Sequence, residues 1–520
     1  GDKFARVPLS WDSDAEVHEI DMEGKFLLPG LVDAHIHAYM LGESRSNLDL
    51  SNCKSVLELS KRLSSYNSLE ENAKKTWIIG GGWDHELMGC LPTRHDLDSV
   101  VSDRPVFLWR ACMHIGVANT KALDMCGISH TNPPSINDGS FDMIEETNTI
   151  SGIIRENAVQ YIFSNVTESS KEVKKKMILQ GLTECRDAGL TSVQTNDEFS
   201  LDCYKELDAE GLLPLRVHLT SSYKESNTAP YESKSGMLDN KRIKLFADGS
   251  LGAGTAAIRD ASSKGYSGML LFELVDLKRQ MKLAHDNGYQ IETHCIGDAA
   301  ADQTLRALEE TGIKAGDRPI LTHCQVLGND LIERMASIGA IADVQPSFVP
   351  TDTAWVEKRL KPEQIKWSYC WQTLIKRGVH VAGSSDAPIE SCSPLKGMYD
   401  AIYRPKTHVV AENDDGNACF LEEEKLTFWQ ALNLYTLGAN YCSKTENVRG
   451  RIEVGYDADF VVLDKDVAAN PRLLRTAEIV EVWVSGKRTK IQVGDRDFKN
   501  FSSQFLPGKN GPKVFFRNCC

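Results

Sequence analysis

The sequence predicts an α/β protein built on a TIM-like (β/α)8 barrel. Short apolar segments of strand length recur along the chain, and amphipathic segments of helical length lie between them. Strands that alternate with such helices form parallel sheets, and the number of repeats favours a closed barrel over an open sheet. The predicted strands are Leu31 to His37, Thr191 to Gln194, Leu215 to Leu219, Arg242 to Phe246, Gln290 to His294, Pro319 to His323, Ile341 to Gln345 and His380 to Gly383.

The segments between these strands have the periodicity of surface helices. Apolar residues recur every three or four positions in Leu274 to Asn287, Ala299 to Thr311, Asn329 to Gly339 and Ser368 to Gly378. Several of these segments end at or just before glycine, the residue that most readily adopts the left-handed conformation after a helix. Strand and helix therefore alternate through most of the chain.

Side chains that can bind metals stand where the predicted strands end. His35 and His37 are separated by one residue, and on a β-strand such a pair shares one face. The carboxyl ends of all strands in a parallel barrel face one mouth, so side chains from distant strands meet there. Neutral imidazoles and carboxylates are ligands of divalent metals. Six residues are therefore expected to converge, namely His35, His37, Lys244, His294, His323 and Asp386.

Ordered motifs in the chain resemble those of the amidohydrolase superfamily of metal-dependent hydrolases. Residues 29–37, Pro-Gly-Leu-Val-Asp-Ala-His-Ile-His, look like its opening motif, and residues 383–386, Gly-Ser-Ser-Asp, look like its closing one. Residues 244–250, residues 294–298 and Gln345-Pro346 resemble the family-three branch, which includes N-substituted formamide deformylases and plant proteins of the long-after-far-red type. The resemblance extends from about Gly24 to about Val484. It is specific for the family and poorly specific for the substrate.

The resemblance implies zinc as the cofactor, with two ions in the site. The implied ligands are His35, His37 and Asp386 for the more buried ion, and His294 and His323 for the second ion. Lys244 matches the position at which many relatives carry a carboxylated lysine that bridges the two metals. The carbamate forms from the neutral amine, whose pKa of about 10.4 in water has to fall first. An unmodified Lys244 would instead indicate one metal, or a lysine that only forms an ion pair.

The resemblance also implies the chemistry, which is hydrolysis of a non-peptide carbon–nitrogen bond of amide type in a small molecule. Metal-activated hydroxide would attack a polarised carbonyl, and Asp386 would act as general base and then as general acid toward the departing nitrogen. One alternative is a mononuclear deaminase, although such enzymes typically carry a Glu where this chain has Cys295-Ile296-Gly297-Asp298. The other is a non-catalytic regulatory or scaffold protein on the same barrel.

A long segment between the first two predicted strands, residues 47–167, predicts an inserted subdomain over the active-site mouth. By resemblance, its substrate-binding residues are Trp83, Arg110, His114 and Asn119. Arg110 would suit a carboxylate. Relatives commonly show Asp-Gly-His where this chain has Cys112-Met113-His114, which indicates a different pocket. In the barrel, Asp248 is expected either to hydrogen-bond a metal-bound histidine or to mark the turn after a strand.

The remaining segments follow from the order of the motifs. Residues 1–25 are expected to form the amino-terminal part of a small β-sandwich, 26–46 the first barrel strand and its loop, 168–445 the rest of the barrel, 446–495 the carboxy-terminal part of the sandwich, and 496–520 a loosely ordered tail. In relatives this sandwich takes strands from both termini. Because the chain opens at Gly1 in what looks like the middle of that domain, with Val17 to Ile20 as one strand, some amino-terminal strands are expected to be missing.

Composition agrees with a large enzyme and narrows the partners. With 520 residues, 41% of them hydrophobic, the chain can build one large core with appendages. A net charge of -14 without a basic stripe predicts no nucleic-acid partner, and no apolar run approaches membrane-spanning length. The 14 cysteines are scattered, except for Cys519-Cys520, which favours a reducing cytoplasm. The expected partner is a small amide-type substrate, and a homo-oligomer is left open.

Overall fold

The computed structural model describes residues 3–4, 17–18, 22–72, 75–110, 115–136, 139–163, 170–252, 254–260, 268–407, 419–491 and 513–514. These residues form two compact units. The first unit comprises Gly1–Leu41 and Ile178–Cys520, and the second comprises Gly42–Met177. The predicted insertion at residues 47–167 lies within the second unit.

Eight parallel strands in the first unit form the barrel. They are β1 Leu31–Ile36, β2 Leu190–Asn196, β3 Arg216–Ser222, β4 Leu238–Phe246, β5 Gln290–Cys295, β6 Ile320–His323, β7 Ile341–Val344 and β8 His380–Gly383. Hydrogen-bonded neighbours follow chain order from β1 to β8, and all seven ladders are parallel. A short strand, Tyr231–Glu232, pairs antiparallel with β4 at one side. The predicted fold class is confirmed.

The turn that follows β8 connects β8 to β1 and so closes the barrel. The backbone N–H of Asp386 donates to the carbonyl of His35 at 2.9 Å, and the N–H of His37 donates to the carbonyl of Ala387 at 2.9 Å. The N–H of Ser385 donates to Oδ1 of Asp33 at 3.1 Å. These bonds fix the Asp386 backbone beside the His-x-His pair, at the carboxyl end of β1.

Helices follow the barrel strands. Two of them show how the sequence ends a helix, because Asp298–Thr311 stops at Gly312 (φ 76°) and Asn329–Ile338 stops at Gly339 (φ 66°). The others are Lys171–Asp187, Leu201–Ala209, Leu274–Asp286, Phe348–Arg359, Pro362–Ile365, Trp371–Lys376, Pro394–Tyr403, Phe428–Asn433 and Ala439–Cys442, with a π-helical turn at Leu434–Gly438 and 3₁₀ turns at Tyr223–Glu225, Ala315–Asp317, Glu422–Glu424 and Pro471–Arg475.

A small antiparallel sheet takes strands from both ends of the chain, but its amino-terminal strand, Phe26–Pro29, lies in the segment predicted to form the first barrel strand and its loop and not in residues 1–25. Its strands are, in order, Phe26–Pro29, Phe460–Leu463, Ile479–Val484 and Lys487–Ile491. The predicted sandwich needs two layers of strands. Among the described residues, this sheet supplies one layer of four strands. Val17–His18 instead pairs in parallel with Lys513–Val514. Apart from that pair, Ile20 and the predicted tail at residues 496–520 lie outside the described residues.

The second unit has its own mixed sheet and core. The strands are, in order, Leu48–Asp49, Ile78–Trp83, Val106–Arg110, Ile115–Ala118, Thr149–Glu156 and Gly139–Ile144. Its helices are Val56–Ser68, His85–Met88, Arg94–Asp98, Thr120–Met125 and Asn157–Phe163, with a 3₁₀ turn at Glu70–Asn72, and helix Ala38–Ser46 leads into it from β1. In neither unit does a described helix have the length and apolar character needed to cross a membrane.

Arg216 on β3 connects the barrel to the small sheet. Its Nε donates to Oδ2 of Asp459 at 2.9 Å and its Nη2 to Oδ1 of the same residue at 3.3 Å, and both side chains are about 95% buried. The guanidinium also donates to Oγ of Ser485 at 2.6 Å. A buried two-point ion pair of this kind fixes the direction of approach as well as the distance.

Replacing Arg216 with Ala should lower the free energy of unfolding by about 3–5 kcal/mol, because it leaves the buried Asp459 carboxylate without its main counter-charge. Urea unfolding followed by circular dichroism measures the change. Arg279→Ala is the matched control, since Arg279 pairs with Asp276 at the surface with its side chain 74% exposed and should leave the unfolding curve nearly unchanged. Equal effects of the two substitutions would contradict the role assigned to Arg216.

Candidate metal centre

His35 and His37 direct their Nε2 atoms at one carboxylate oxygen. Oδ1 of Asp386 lies 3.4 Å from Nε2 of His35 and 3.1 Å from Nε2 of His37. The same oxygen is buried and has no partner in hydrogen-bonding geometry. Three atoms that can donate electron pairs thus lie within 4.8 Å of one another. Two imidazoles and a carboxylate are a donor set that suits a divalent cation such as zinc, so the residues present fit the metal that the sequence predicts.

The backbone holds two of the strand-end residues in an unusual conformation. Asp386 has φ 57° and His323 has φ 81°, both in the left-handed region that side chains other than glycine rarely adopt. The bond from the N–H of Asp386 to the His35 carbonyl helps to hold the first of these. Strained backbone concentrates at binding sites, where it directs a side chain that relaxed geometry would not present.

Two of the histidines use Nδ1 to hydrogen-bond an oxygen that carries no charge, which leaves Nε2 for a metal. Nδ1 of His37 lies 2.9 Å from the carbonyl of Asn196, which can only accept, so Nδ1 carries the proton and Nε2 keeps its electron pair. Nδ1 of His323 lies 2.8 Å from Oε1 of Gln345. The amide of Gln345 is oriented by its own donation to Oγ of Ser384 at 2.8 Å. Both contacts leave Nε2 free to bind a metal.

A buried carboxylate that the sequence analysis passed over, Glu292, is the partner of His35. It lies on β5, is 1% exposed, and its Oε1 is 3.0 Å from Nδ1 of His35 and 2.6 Å from Nζ of Lys244. The sequence contains one indication of this role, namely spacing. Glu292 stands two residues before His294, so the two side chains lie on the same face of the strand. Lys244 is thus paired with Glu292, and carboxylation of Lys244 stays a prediction.

His294 and His323 lie beside this group, with ring centroids 4.5 Å apart, and the His323 ring is 5.7 Å from that of His35. Nε2 of His294 is 3.0 Å from the carbonyl of Gly249, which leaves Nδ1 as its free nitrogen. Among the described residues, the metal-capable group within 4.8 Å contains only His35, His37 and Asp386. The five predicted histidine and aspartate ligands are therefore neighbours, while a second ion on His294 and His323 stays a prediction.

The environment of the site favours a protonated ring at His35 and neutral rings at His294 and His323. Burial and Lys244 lower the pKa of His35, but the carboxylates of Asp386 and Glu292 outweigh them and raise it to about 9. Burial opposes ionisation of Asp386, yet the imidazoles of His35 and His37 hold its pKa well below the usual value. Burial and Lys244 lower the pKa of His294 to about 4. Ionised Asp386 and neutral His294 are the forms that can bind a metal.

Asp248 anchors the loop after β5. Its carboxylate accepts backbone N–H groups from Ile296 at 3.0 Å, Gly297 at 2.8 Å and Ala257 at 2.9 Å, and lies 3.6 Å from Nε2 of His294. Burial raises the pKa of Asp248 to about 7, although these backbone bonds act in the opposite direction. Of the two expected roles, the geometry favours anchoring of the turn that follows the strand.

The predicted substrate residues lie in the second unit, where the structure shows what each contacts. Trp83 is fully buried and donates from Nε1 to the carbonyl of Leu108 at 2.8 Å. Arg110 donates to Oδ1 of Asp84 at 2.8 Å and so already has a counter-charge. His114 lies outside the described residues. Contact between these residues and a substrate stays a prediction.

Asn119 is the fourth predicted substrate residue, and it serves the backbone of its own unit. Oδ1 accepts from the N–H groups of Val106 and Ala122, both at 2.9 Å. Nδ2 donates to the carbonyls of Val101 at 2.8 Å and Arg104 at 2.9 Å. With both ends of the amide engaged and no exposed surface, the side chain caps a helix and joins neighbouring segments.

Comparison with known proteins identifies relatives along most of the chain. The sequence profile described as the amidohydrolase family matches residues 18–489. The Bacillus subtilis (strain 168) protein named "Putative amidohydrolase YtcJ" is 32% identical over 495 residues, covering 91% of this chain and 90% of that protein. The N-substituted formamide deformylase of Arthrobacter pascens is 25% identical over 512 residues, covering 91% and 89%. The crystal structure of an uncharacterized metal-dependent hydrolase from Pyrococcus horikoshii OT3 has a TM-score of 0.74 and 29% identity, covering 86% of this chain and 88% of that one.

Replacing His37 with Ala should weaken zinc binding, because one of three converging donors is removed. Loss of a residue that only hydrogen-bonds a metal ligand typically costs about 10–100-fold in affinity, and loss of the ligand itself should cost more. Competition against a chelator, with elemental analysis after dialysis, measures the change. His380→Ala is the control, since His380 is an exposed residue at the start of β8 that stacks on Tyr441 at 3.8 Å and should bind zinc as the wild type does. Wild-type affinity in the His37 variant would rule out this centre.

Proposed function

This chain belongs to the amidohydrolase family, as its motifs predicted, and on that premise we propose that it hydrolyses an amide-type carbon–nitrogen bond of a small molecule in a zinc-dependent reaction. The family and its metal-dependent structural relatives support a hydrolase that acts on carbon–nitrogen bonds. The observation that carries the finer proposal is the convergence of His35, His37 and Asp386 at the strand ends.

The residues that would hold the metal follow from their free electron pairs. His35, His37 and Asp386 would hold one ion. With Lys244 as the ammonium that contacts Glu292, the site would hold this ion alone, whereas carboxylation of Lys244 would add a second ion on His294 and His323. When bound, a divalent ion supplies a Lewis acid for a carbonyl oxygen and makes water a stronger nucleophile at neutral pH. The barrel keeps these ligands in place through its backbone and through the oxygen partners of His37 and His323.

Asp386 has the properties of the proton carrier that amide hydrolysis needs. Its low pKa keeps it ionised at neutral pH, so it can accept the proton of the attacking water. It can then return that proton to the nitrogen of the departing amine, which is too basic to leave as an anion. Because the carboxylate is mostly buried, bulk water does not compete strongly for this proton.

Aromatic side chains beside the histidines support a substrate with an apolar group. The ring of Phe246 lies 5.5 Å from that of His294, and Phe348 stacks near His323 at 6.2 Å with an interplanar angle of 17°. Such rings favour an apolar group next to the bond that is cleaved. An N-substituted formamide, an N-acyl amine or a carbamoyl compound with an apolar substituent would fit, and the deformylase among the relatives supports this class.

The cytoplasm is the location that we propose for this reaction. Each cysteine in the described part of the chain is a free thiol, and most are buried. Free thiols are the usual state in a reducing compartment.

The function is tested by metal analysis of the purified protein together with a screen of N-formyl, N-acyl and carbamoyl compounds for release of amine. The expected result is bound zinc, turnover of at least one class, and loss of that turnover on treatment with a chelator followed by recovery with zinc. A folded protein that carries no metal and turns over none of these compounds would contradict the proposal and favour the non-catalytic alternative.

Asp386→Asn should lower kcat by about 10²–10⁴-fold, because an amide cannot accept the proton from water. Circular dichroism should show an intact fold. Asp239→Asn is the control. Asp239 also pairs with an imidazole, that of His218 at 2.6 Å, but it lies near the amino end of β4, away from the carboxyl ends of the strands where the candidate ligands meet. An Asp386 variant that keeps the wild-type rate would remove this residue from the mechanism.

A further inference from the structure

We propose that Glu292 is a positioning residue of the metal centre, which holds His35 and Lys244 on one carboxylate oxygen and thereby sets the affinity of the site for divalent metal. The proposal rests on the metal-dependent function proposed above. It assigns a role to a side chain outside the predicted ligand set.

The contacts of Glu292 show that it acts through its neighbours. Oε1 accepts from Nζ of Lys244 at 2.6 Å and from Oγ1 of Thr322 at 3.0 Å, and Nδ1 of His35 lies 3.0 Å from the same oxygen. Oε2 accepts from Nη1 of Arg242 at 3.3 Å. Three hydrogen bonds and the contact with the His35 imidazole surround the carboxylate and approach the roughly four contacts that its oxygens can accept. Little capacity remains for a metal ion.

The two nitrogens of His35 face different carboxylates. Nδ1 is directed at Glu292, and Nε2 is directed at Asp386, where the candidate ligands converge. A carboxylate that receives Nδ1–H holds the ring in the orientation and the tautomer that present Nε2 to a metal, and it makes that nitrogen a stronger donor. Glu292 therefore acts on the metal through the imidazole that separates them.

The Nδ1 partners of His37 and His323 differ in charge from the partner of His35. His37 donates to a backbone carbonyl and His323 to a side-chain amide, both of them neutral. His35 is the one of the three whose Nδ1 partner carries a charge. We therefore expect the metal affinity to depend more strongly on Glu292 than on the neutral partners.

The charge of Glu292 also balances the layer beneath the site. Arg242 and Lys244 are both almost fully buried, and Glu292 is the carboxylate in contact with each of them. The other nitrogens of Arg242 donate to Oε1 of Gln290 at 3.0 Å and to the carbonyl of Cys442 at 2.8 Å, so the guanidinium is fixed in place. Without the carboxylate, two positive charges would face the underside of a site that has to bind a cation.

The decisive experiment compares zinc binding in the wild type and in Glu292→Gln, which keeps the shape of the side chain and removes its charge. The expected result is about 10–100-fold weaker zinc affinity in chelator competition. A changed absorption spectrum of the cobalt-substituted protein should accompany it, because the orientation of the His35 ring changes. Both readouts report on the metal site and do not depend on turnover.

Glu481→Gln is the matched control. Glu481 is 5% exposed, lies on a strand of the small sheet, and accepts from Nε1 of Trp483 at 2.7 Å and from Arg488 at 3.1 Å. Its loss should lower the unfolding midpoint and leave zinc affinity and the cobalt spectrum unchanged. A role of Glu292 in stability alone would make the two variants behave alike.

A double variant keeps the test available if Glu292→Gln does not fold. Arg242→Gln combined with Glu292→Gln removes one buried charge of each sign and so keeps the net charge of the layer. The weaker zinc affinity should persist in it, because the carboxylate partner of His35 is still absent. Wild-type zinc affinity in a folded Glu292 variant would overturn this proposal alone, whereas wild-type protein that binds no divalent metal would overturn it together with the proposed function.

Discussion

The electron pairs around Oδ1 of Asp386 repel one another unless a positive charge lies among them. Two Nε2 atoms approach this oxygen at 3.1 and 3.4 Å, and neither contact has the geometry of a hydrogen bond. Burial and Lys244 lower the pKa of His35, but the carboxylates of Asp386 and Glu292 favour a proton on this imidazole and raise its pKa to about 9. A divalent cation would offset the repulsion between the electron pairs, and the fold brings the donors together in advance of binding.

That preorganisation comes from strand ends and their backbone contacts. β1 carries both histidines of the His-x-His pair, and the turn after β8 is hydrogen-bonded to the same strand end, so the separation between the histidines and Asp386 depends on two backbone bonds of 2.9 Å. The bond from the N–H of Asp386 to the His35 carbonyl also helps to hold the left-handed conformation of Asp386. Rigid elements position ligands more closely than mobile loops do, and metal sites tolerate little error in ligand position.

The sequence predicted the barrel and the three residues of the candidate metal group, because both depend on patterns that are local along the chain. Buried parallel strands appear as apolar runs, and ligands follow at the ends of those runs, which identified β1 to β8 and the histidines with Asp386. Glu292 was missed because its partners, His35 and Lys244, come from other strands, and only the barrel register brings them together. Motif resemblance was also limited for Trp83 and Asn119, since it gives a position and not the atoms that a side chain contacts.

Arg242, Lys244 and Glu292 form a layer of charged side chains beneath the candidate metal centre. Barrel interiors are usually filled with bulky aliphatic side chains, whereas here three charged side chains form a hydrogen-bonded set below the mouth. Buried charges are tolerated only when each has its partner, so this layer restricts both composition and geometry. Loops in general tolerate more change in sequence than the elements that they connect. The charged side chains that support the candidate metal centre therefore come from the barrel strands.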